Sequence, residues 1–139
     1  MTDASVFLDT NIIVYAYDTS AGGKHSLAAE LIEDLWNTGR GIISTQVLQE
    51  FFVTTTKKIG KPLDVPTARD IVKDFLKWKT VVVDGEIILE AIDIRVSHKY
   101  SFWDSLIIAS ALQGGASTLL SEDLSSAHRL KGLVIRNPF

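Results

Sequence analysis

At 139 residues the chain has the length of one domain, long enough to bury a substantial core. Apolar residues at 46% against 22% charged exclude a disordered chain, and the absence of cysteine excludes disulfides and thiolate chemistry. A formal charge of −3, from 14 basic and 17 acidic residues, excludes a broad basic surface, so any grip on phosphates is local or assisted by cations or a partner.

Along the chain, Val6-Phe7-Leu8 reads as a short buried strand, and Asp9-Thr10-Asn11 starts a helix through the apolar segment Ile12–Tyr17. Ala21-Gly22-Gly23 interrupts it. Ser26–Asn37 then has helical spacing of Leu27, Leu31 and Leu35, and ends at Gly39. Gly41-Ile42-Ile43 is a second strand, and Thr45 is the expected N-cap of a helix running to about Lys57. Lys61–Pro66, with two prolines, reads as a loop before an amphipathic helix through Ala68, Ile71, Phe75 and Leu76. The β-branched run Thr80-Val81-Val82-Val83 is a third strand, and Asp84 caps a helix through Ile88, Ala91, Ile92 and Val96. Ser101 starts the helix Phe102–Leu112, apolar nearly all round, which Gly114-Gly115 stops. Leu119-Leu120 and Leu133-Val134-Ile135 are the last two strands.

Short apolar strands alternating with helices predict a parallel sheet covered on both faces: a three-layer α/β/α domain over residues 1–139 with five short strands. Neither Ile12–Tyr17 nor Leu106–Ala109 is long enough to span a bilayer, and Met1-Thr2-Asp3 puts no basic segment before the first apolar run. A cytoplasmic protein is expected.

Open α/β sheets place sites at the carboxyl ends of strands, so acids standing there draw attention. Asp9 and Asp123 each lie between a strand and the segment after it, where capping explains them as well as ligation does. Spacing leaves open whether Glu122 or Asp123 faces the crevice. Ser101-Phe102-Trp103-Asp104 has the form of a capping box, yet Asp104 shares a helical face with Ile107, Ile108 and Ala111. A carboxylate there needs a partner: the helix N-terminus supplies part, and a metal cation would supply the rest. Glu50 borders the apolar stripe of Val47, Leu48, Phe51 and Phe52, where a solvated flank is the simpler reading.

Four segments carry a resemblance. Phe7-Leu8-Asp9-Thr10-Asn11-Ile12-Ile13-Val14-Tyr15, Ser44-Thr45-Gln46-Val47-Leu48-Gln49-Glu50-Phe51, Ser101-Phe102-Trp103-Asp104-Ser105-Leu106-Ile107 and Leu120-Ser121-Glu122-Asp123-Leu124 resemble the four acidic motifs of PIN-domain ribonucleases. VapC-type toxins of toxin–antitoxin pairs are the most similar subgroup, and the ending Asn137-Pro138-Phe139 resembles theirs. The resemblance implies a PIN-like fold and a catalytic quartet of Asp9, Glu50, Asp104 and Asp123, favouring Asp123 over Glu122. It implies Mg²⁺ (or Mn²⁺) held foremost by Asp9 and Asp104, with Glu50 and Asp123 as further ligands. Thr10, Asn11 and Ser121 would hold water or a carboxylate in place. It also implies an RNA substrate, a cognate antitoxin and a homodimer.

The chemistry agrees with the residues. Clustered carboxylates repel a phosphate and raise each other's pKa values, and hard divalent cations relieve both. His25, His98 and His128 show no ligand spacing. Lys57, Lys58 and Lys61 follow the Glu50 helix, and Arg129 and Lys131 follow Asp123; solvated charge is the simpler reading, phosphate contact the other. Trp103 reads more simply as a core aromatic than as a base-stacking one. Interfaces at Ile12–Tyr17 and around Trp36 compete with burial within the chain. Two other classes share a small α/β frame with an acidic pocket. A receiver-type signalling domain would want paired acids after the first strand and a lysine ending the last, where Asn11 and Arg136 stand. A haloacid-dehalogenase-like phosphatase would need a second aspartate at position 11. Within the PIN resemblance, a housekeeping RNA-processing nuclease is the alternative to a toxin.

Overall fold

The computed structural model describes residues 4–124 and 128–139, so Met1-Thr2-Asp3 lies outside the described residues. The strands are β1 (Val6–Leu8), β2 (Gly41–Ser44), β3 (Lys79–Val81), β4 (Thr118–Leu120), β5 (His128–Leu130) and β6 (Leu133–Arg136). They form one sheet in the order β3-β2-β1-β4-β6-β5. Every pairing is parallel except β5 with β6. The helices are α1 (Thr10–Tyr17), α2 (Gly23–Thr38), α3 (Thr45–Lys57), α4 (Val65–Phe75), α5 (Gly85–His98) and α6 (Phe102–Gln113).

Successive strand residues point to opposite faces, so a strand buried at every position is covered on both. β2 is buried from Gly41 to Ser44, and helices from two groups rest on it: α2 and α3 from the α1–α4 group, α6 from the α5–α6 pair. The expected α/β/α layering is present. Helix α6 is the most enclosed helix, with every residue from Ser105 to Ala111 buried, as its all-round apolar character required. A second concentration of core lies under α2 to α4, where Phe51, Phe75, Trp78, Trp36 and Tyr17 pack mostly edge-on or tilted. Trp78 closes so tightly over Gly41 that a Cβ there would stand 2.4 Å from its ring.

Three local expectations change. The sheet has a sixth strand, because Lys131-Gly132 turns the chain back: both have positive φ, 51° and 86°, the twist of a two-residue hairpin. Helix α3 is capped by Ser44, whose hydroxyl accepts the Val47 N–H at 3.3 Å, and not by Thr45. Thr45 is the first helical residue and its hydroxyl accepts the Val83 N–H at 3.2 Å, tying α3 to the end of β3. Finally, α4 begins inside the expected loop, because Asp64 caps it through the Thr67 N–H at 2.8 Å and Pro66 suits its first turn.

The strand order places the crevice. From β1 the chain builds outward through β2 to β3, then returns to the other side of β1 with β4. The segments after β1 and β4 therefore diverge to opposite sides at their shared carboxyl ends, and Asp9 and Ser121 stand side by side there. The Asp9 N–H donates to the Leu120 carbonyl at 3.0 Å, closing that corner.

Candidate active site

Asp9 is the N-cap of α1, and its carboxylate accepts the Thr10 N–H at 2.7 Å. Its other oxygen accepts the Ser121 hydroxyl at 2.7 Å. The residue is only 6% exposed. Burial pushes its pKa up to about 6; the two hydrogen bonds oppose that rise, and the negative charges of Asp123 and Glu50 add to it. Capping and site geometry thus coincide in one side chain.

Glu50 rides the second turn of α3 and is half-buried. One of its oxygens accepts the Thr10 hydroxyl at 2.6 Å and the other accepts the Gln46 amide at 3.3 Å. Asp104 sits in the first turn of α6, where its N–H donates to the cap Ser101 at 3.1 Å. It stands half-buried above the fully enclosed Ile107, Ile108 and Ala111, so the wheel gives its face correctly and the helix start gives it solvent. Burial raises its pKa, Ser101 lowers it, and Asp123 and Glu50 raise it again. Asp9 and Asp104 each respond to the same two acids.

The turn after β4 separates its two acids. Glu122 accepts the Tyr15 hydroxyl at 2.5 Å and pairs with Lys24, and these partners hold its pKa below the usual carboxylate range. Asp123 instead accepts the Asn11 amide at 2.9 Å. Asn11 grips this turn twice, since its carbonyl also accepts the Glu122 N–H at 3.3 Å. The fully buried Ser121 is the hub: its hydroxyl donates to Asp9 and accepts the N–H groups of Asp123 and Leu124 at 3.2 and 3.3 Å. Thr10, Asn11 and Ser121 therefore each hold a different acid.

Gln46 and Ser105 escaped the sequence reading. Gln46 lies one turn before Glu50, so its spacing offered a faint signal. It is buried and spans Glu50 and the Trp103 carbonyl at 3.5 Å, and among the described residues its own carbonyl oxygen finds no partner. Ser105, beside Asp104, has a buried hydroxyl in the same condition. Trp103 does not enter the core: it is 63% exposed, while Phe102 packs inward in its place. Trp36 and Ile12–Val14 pack within the chain, Trp36 against Phe75 and Trp78.

Among the described residues no three Asp, Glu, Cys or His side chains gather closely enough to make a ready-built cation cage. The acids converge instead through the hydroxyls and amides between them. Of the histidines, His25 donates to the Tyr15 carbonyl and His128 is hydrogen-bonded to Tyr100. Tyr100 feels the Asp104 charge, which adds to the effect of burial in raising its pKa. The donors at hand are hard oxygens, two of them on carboxyls whose pKa burial and neighbouring charge have raised; this set fits Mg²⁺ or Mn²⁺. Lysines near the site are unevenly placed: Lys58 lines the groove beside Glu50 and Asp123, whereas Lys131 approaches Glu90 at 4.0 Å.

Comparison with known proteins agrees with this frame. No curated protein matches the chain significantly by sequence. A toxin–antitoxin complex from Klebsiella pneumoniae shares the fold at TM-score 0.70 and 19% identity, over 97% of this chain and 98% of that one. The DNA-bound VapBC of Salmonella typhimurium does so at 0.68 and 18%, over 99% and 100%. VapC20 of Mycobacterium tuberculosis, a toxin cleaving the sarcin–ricin loop, matches at 0.61 and 19%, over 83% and 87%. The family model of the PIN domain matches residues 6–131, and this chain therefore belongs to the PIN domain family.

Proposed function

We propose that this chain, acting as one PIN unit over residues 1–139, is a divalent-cation-dependent endoribonuclease and the toxin of a type II toxin–antitoxin pair. The observation that carries the reading is the wiring at the β1–β4 crevice: Ser121 holds Asp9, Thr10 holds Glu50, and Asn11 holds Asp123. Family membership argues against the receiver-type and phosphatase readings.

Asp9 and Asp104 would be the foremost ligands of Mg²⁺ or Mn²⁺, with Glu50 and Asp123 completing the set. When bound, such a cation neutralises the acids toward an incoming phosphate and activates water for in-line displacement. The chain's own residues supply the positioning. Thr10 and Gln46 fix both oxygens of Glu50, and Ser121 couples the orientation of Asp9 to that of the turn bearing Asp123. A hydrogen bond donated to a carboxylate favours its ionised form, the form a cation requires.

The solved relatives in complex with antitoxins support a cognate antitoxin as partner, and we extend the reading to a cytoplasmic homodimer. No helix among the described residues is long and apolar enough to cross a membrane. The direct test incubates the protein with mixed RNAs, with and without EDTA. Cleavage should require the divalent cation and vanish in Asp9→Asn and Asp104→Asn while circular dichroism shows an intact fold. Full activity in folded Asp9→Asn protein would overturn the assignment. A small antitoxin-like reading frame beside this one, whose product copurifies and inhibits, separates a toxin from a housekeeping nuclease, and light scattering tests the dimer.

A further inference from the structure

The walls of the groove beside the acid cluster come from two helices that start together. Helices α1 and α3 follow the adjacent parallel strands β1 and β2, so both begin at the carboxyl edge of the sheet. The Thr10–Glu50 hydrogen bond joins the first turn of α1 to the second turn of α3. From there Thr10, Val14 and Asp18 on α1 and its cap, and Glu50, Thr54 and Lys58 on α3 and its cap, line a groove of about 660 Å³. Each series advances one helical turn at a time, so Lys58 stands about 12 Å along the axis from Glu50. That is a span of a few nucleotides of RNA backbone.

We infer that Lys58 binds a backbone phosphate of the RNA seated in this groove, a few nucleotides from the bond that is cut. The inference rests on the ribonuclease reading. Among the described residues Lys58 makes no ion pair, and the Asp18 carboxylate across the groove is engaged as a cap by the Ser20 N–H and hydroxyl. Val53, which is exposed, offers apolar surface to a ribose or base face, and Gln49 and Thr54 offer hydrogen bonds to a base edge. The adjacent Lys57 and Lys61 are exposed but do not line the groove, so they serve as matched controls.

The test uses the full-length protein and a short unstructured RNA carrying a cut site mapped in the mixed-RNA assay. Lys58→Ala should raise KM about tenfold, with kcat changed by less than about twofold, while Lys58→Arg stays near wild type. In the cleavage-silenced Asp104→Asn background, Lys58→Ala should make the slope of log affinity against log salt shallower by ~0.7. Lys57→Ala and Lys61→Ala should leave both readouts unchanged. Trimming the RNA on either side to within two nucleotides of the cut should, for one of the two sides, abolish the difference between wild type and Lys58→Ala. An unchanged KM in Lys58→Ala, or equal losses in all three lysine variants, overturns the inference and leaves the ribonuclease reading standing. Weakened antitoxin binding with unchanged KM would assign the groove to protein and overturn it as well. A wild-type protein that cuts no RNA would remove the ribonuclease reading and this inference with it.

Discussion

Asp9 is asked to be buried and to be charged, and its environment holds both demands in tension. Two hydrogen bonds favour the carboxylate, but burial dominates and brings the pKa to about 6 from an ordinary 3.8. Between those values the folded chain keeps a proton that the unfolded chain releases, so stability falls as pH rises through that window. The loss is about 1–3 kcal/mol without a divalent cation. Asp9→Asn should therefore gain on the wild type by that amount between pH 4 and 7, measured by urea denaturation at a series of pH values. A gap that stays constant with pH would show that Asp9 does not titrate in this way. The acids were readable as residue types at strand and helix ends, and the resemblance named Thr10, Asn11 and Ser121 beside them, but which of these holds which acid was not readable: Ser121 lies 112 positions from Asp9.

At the scale of elements, the helix starts were largely legible because capping is local chemistry. Asp84 and Ser101 cap where expected, through the N–H groups of Ile87 and Asp104. The shift from Thr45 to Ser44 shows the limit, since both are good caps and the choice depends on where β2 ends. The β5–β6 hairpin was missed because His128-Arg129-Leu130 has too few apolar residues to read as a strand and gains its order from pairing with β6. Its turn depends on Gly132 at φ 86°. Gly132→Val should cost about 1–2 kcal/mol in chemical denaturation, with the edge strand losing hydrogen-exchange protection first. Gly132→Asn should cost less, since asparagine accepts left-handed backbone more readily.

For the molecule as a whole, stability and charge are linked through the proposed cation. A ligand that binds only the folded chain at one hundred times its Kd stabilises it by about 2.7 kcal/mol. Added Mg²⁺ should raise the melting temperature of the wild type, EDTA should reverse the rise, and Asp9→Asn or Asp104→Asn should abolish most of it. An equal rise in wild type and both variants would place the cation elsewhere. The same calorimetric scan, run without RNA, keeps this outcome independent of whether the substrate is known.

The sequence by itself determined the secondary-structure order apart from the edge strand β5, the two-sided covering of the sheet and the residue types at its carboxyl edge, because hydrophobic periodicity, caps and breakers act over a few residues. It also carried the family, through four short motifs in register. Only the tertiary structure decided which acids meet. Residues 9, 50, 104 and 123 come together because the strand order reverses at β1 and brings β4 to its other side, which no local pattern encodes. The same reversal turns Asp123 toward Asn11 and leaves Glu122 to Lys24 and Tyr15. The pairing of β1 with β2 sets α1 and α3 side by side, so that Lys58, in sequence only one of three lysines following the Glu50 helix, lies on the groove that begins at Glu50. Long-range placement follows from sheet order, and sheet order is selected by the packing of the whole core rather than by any one segment of it.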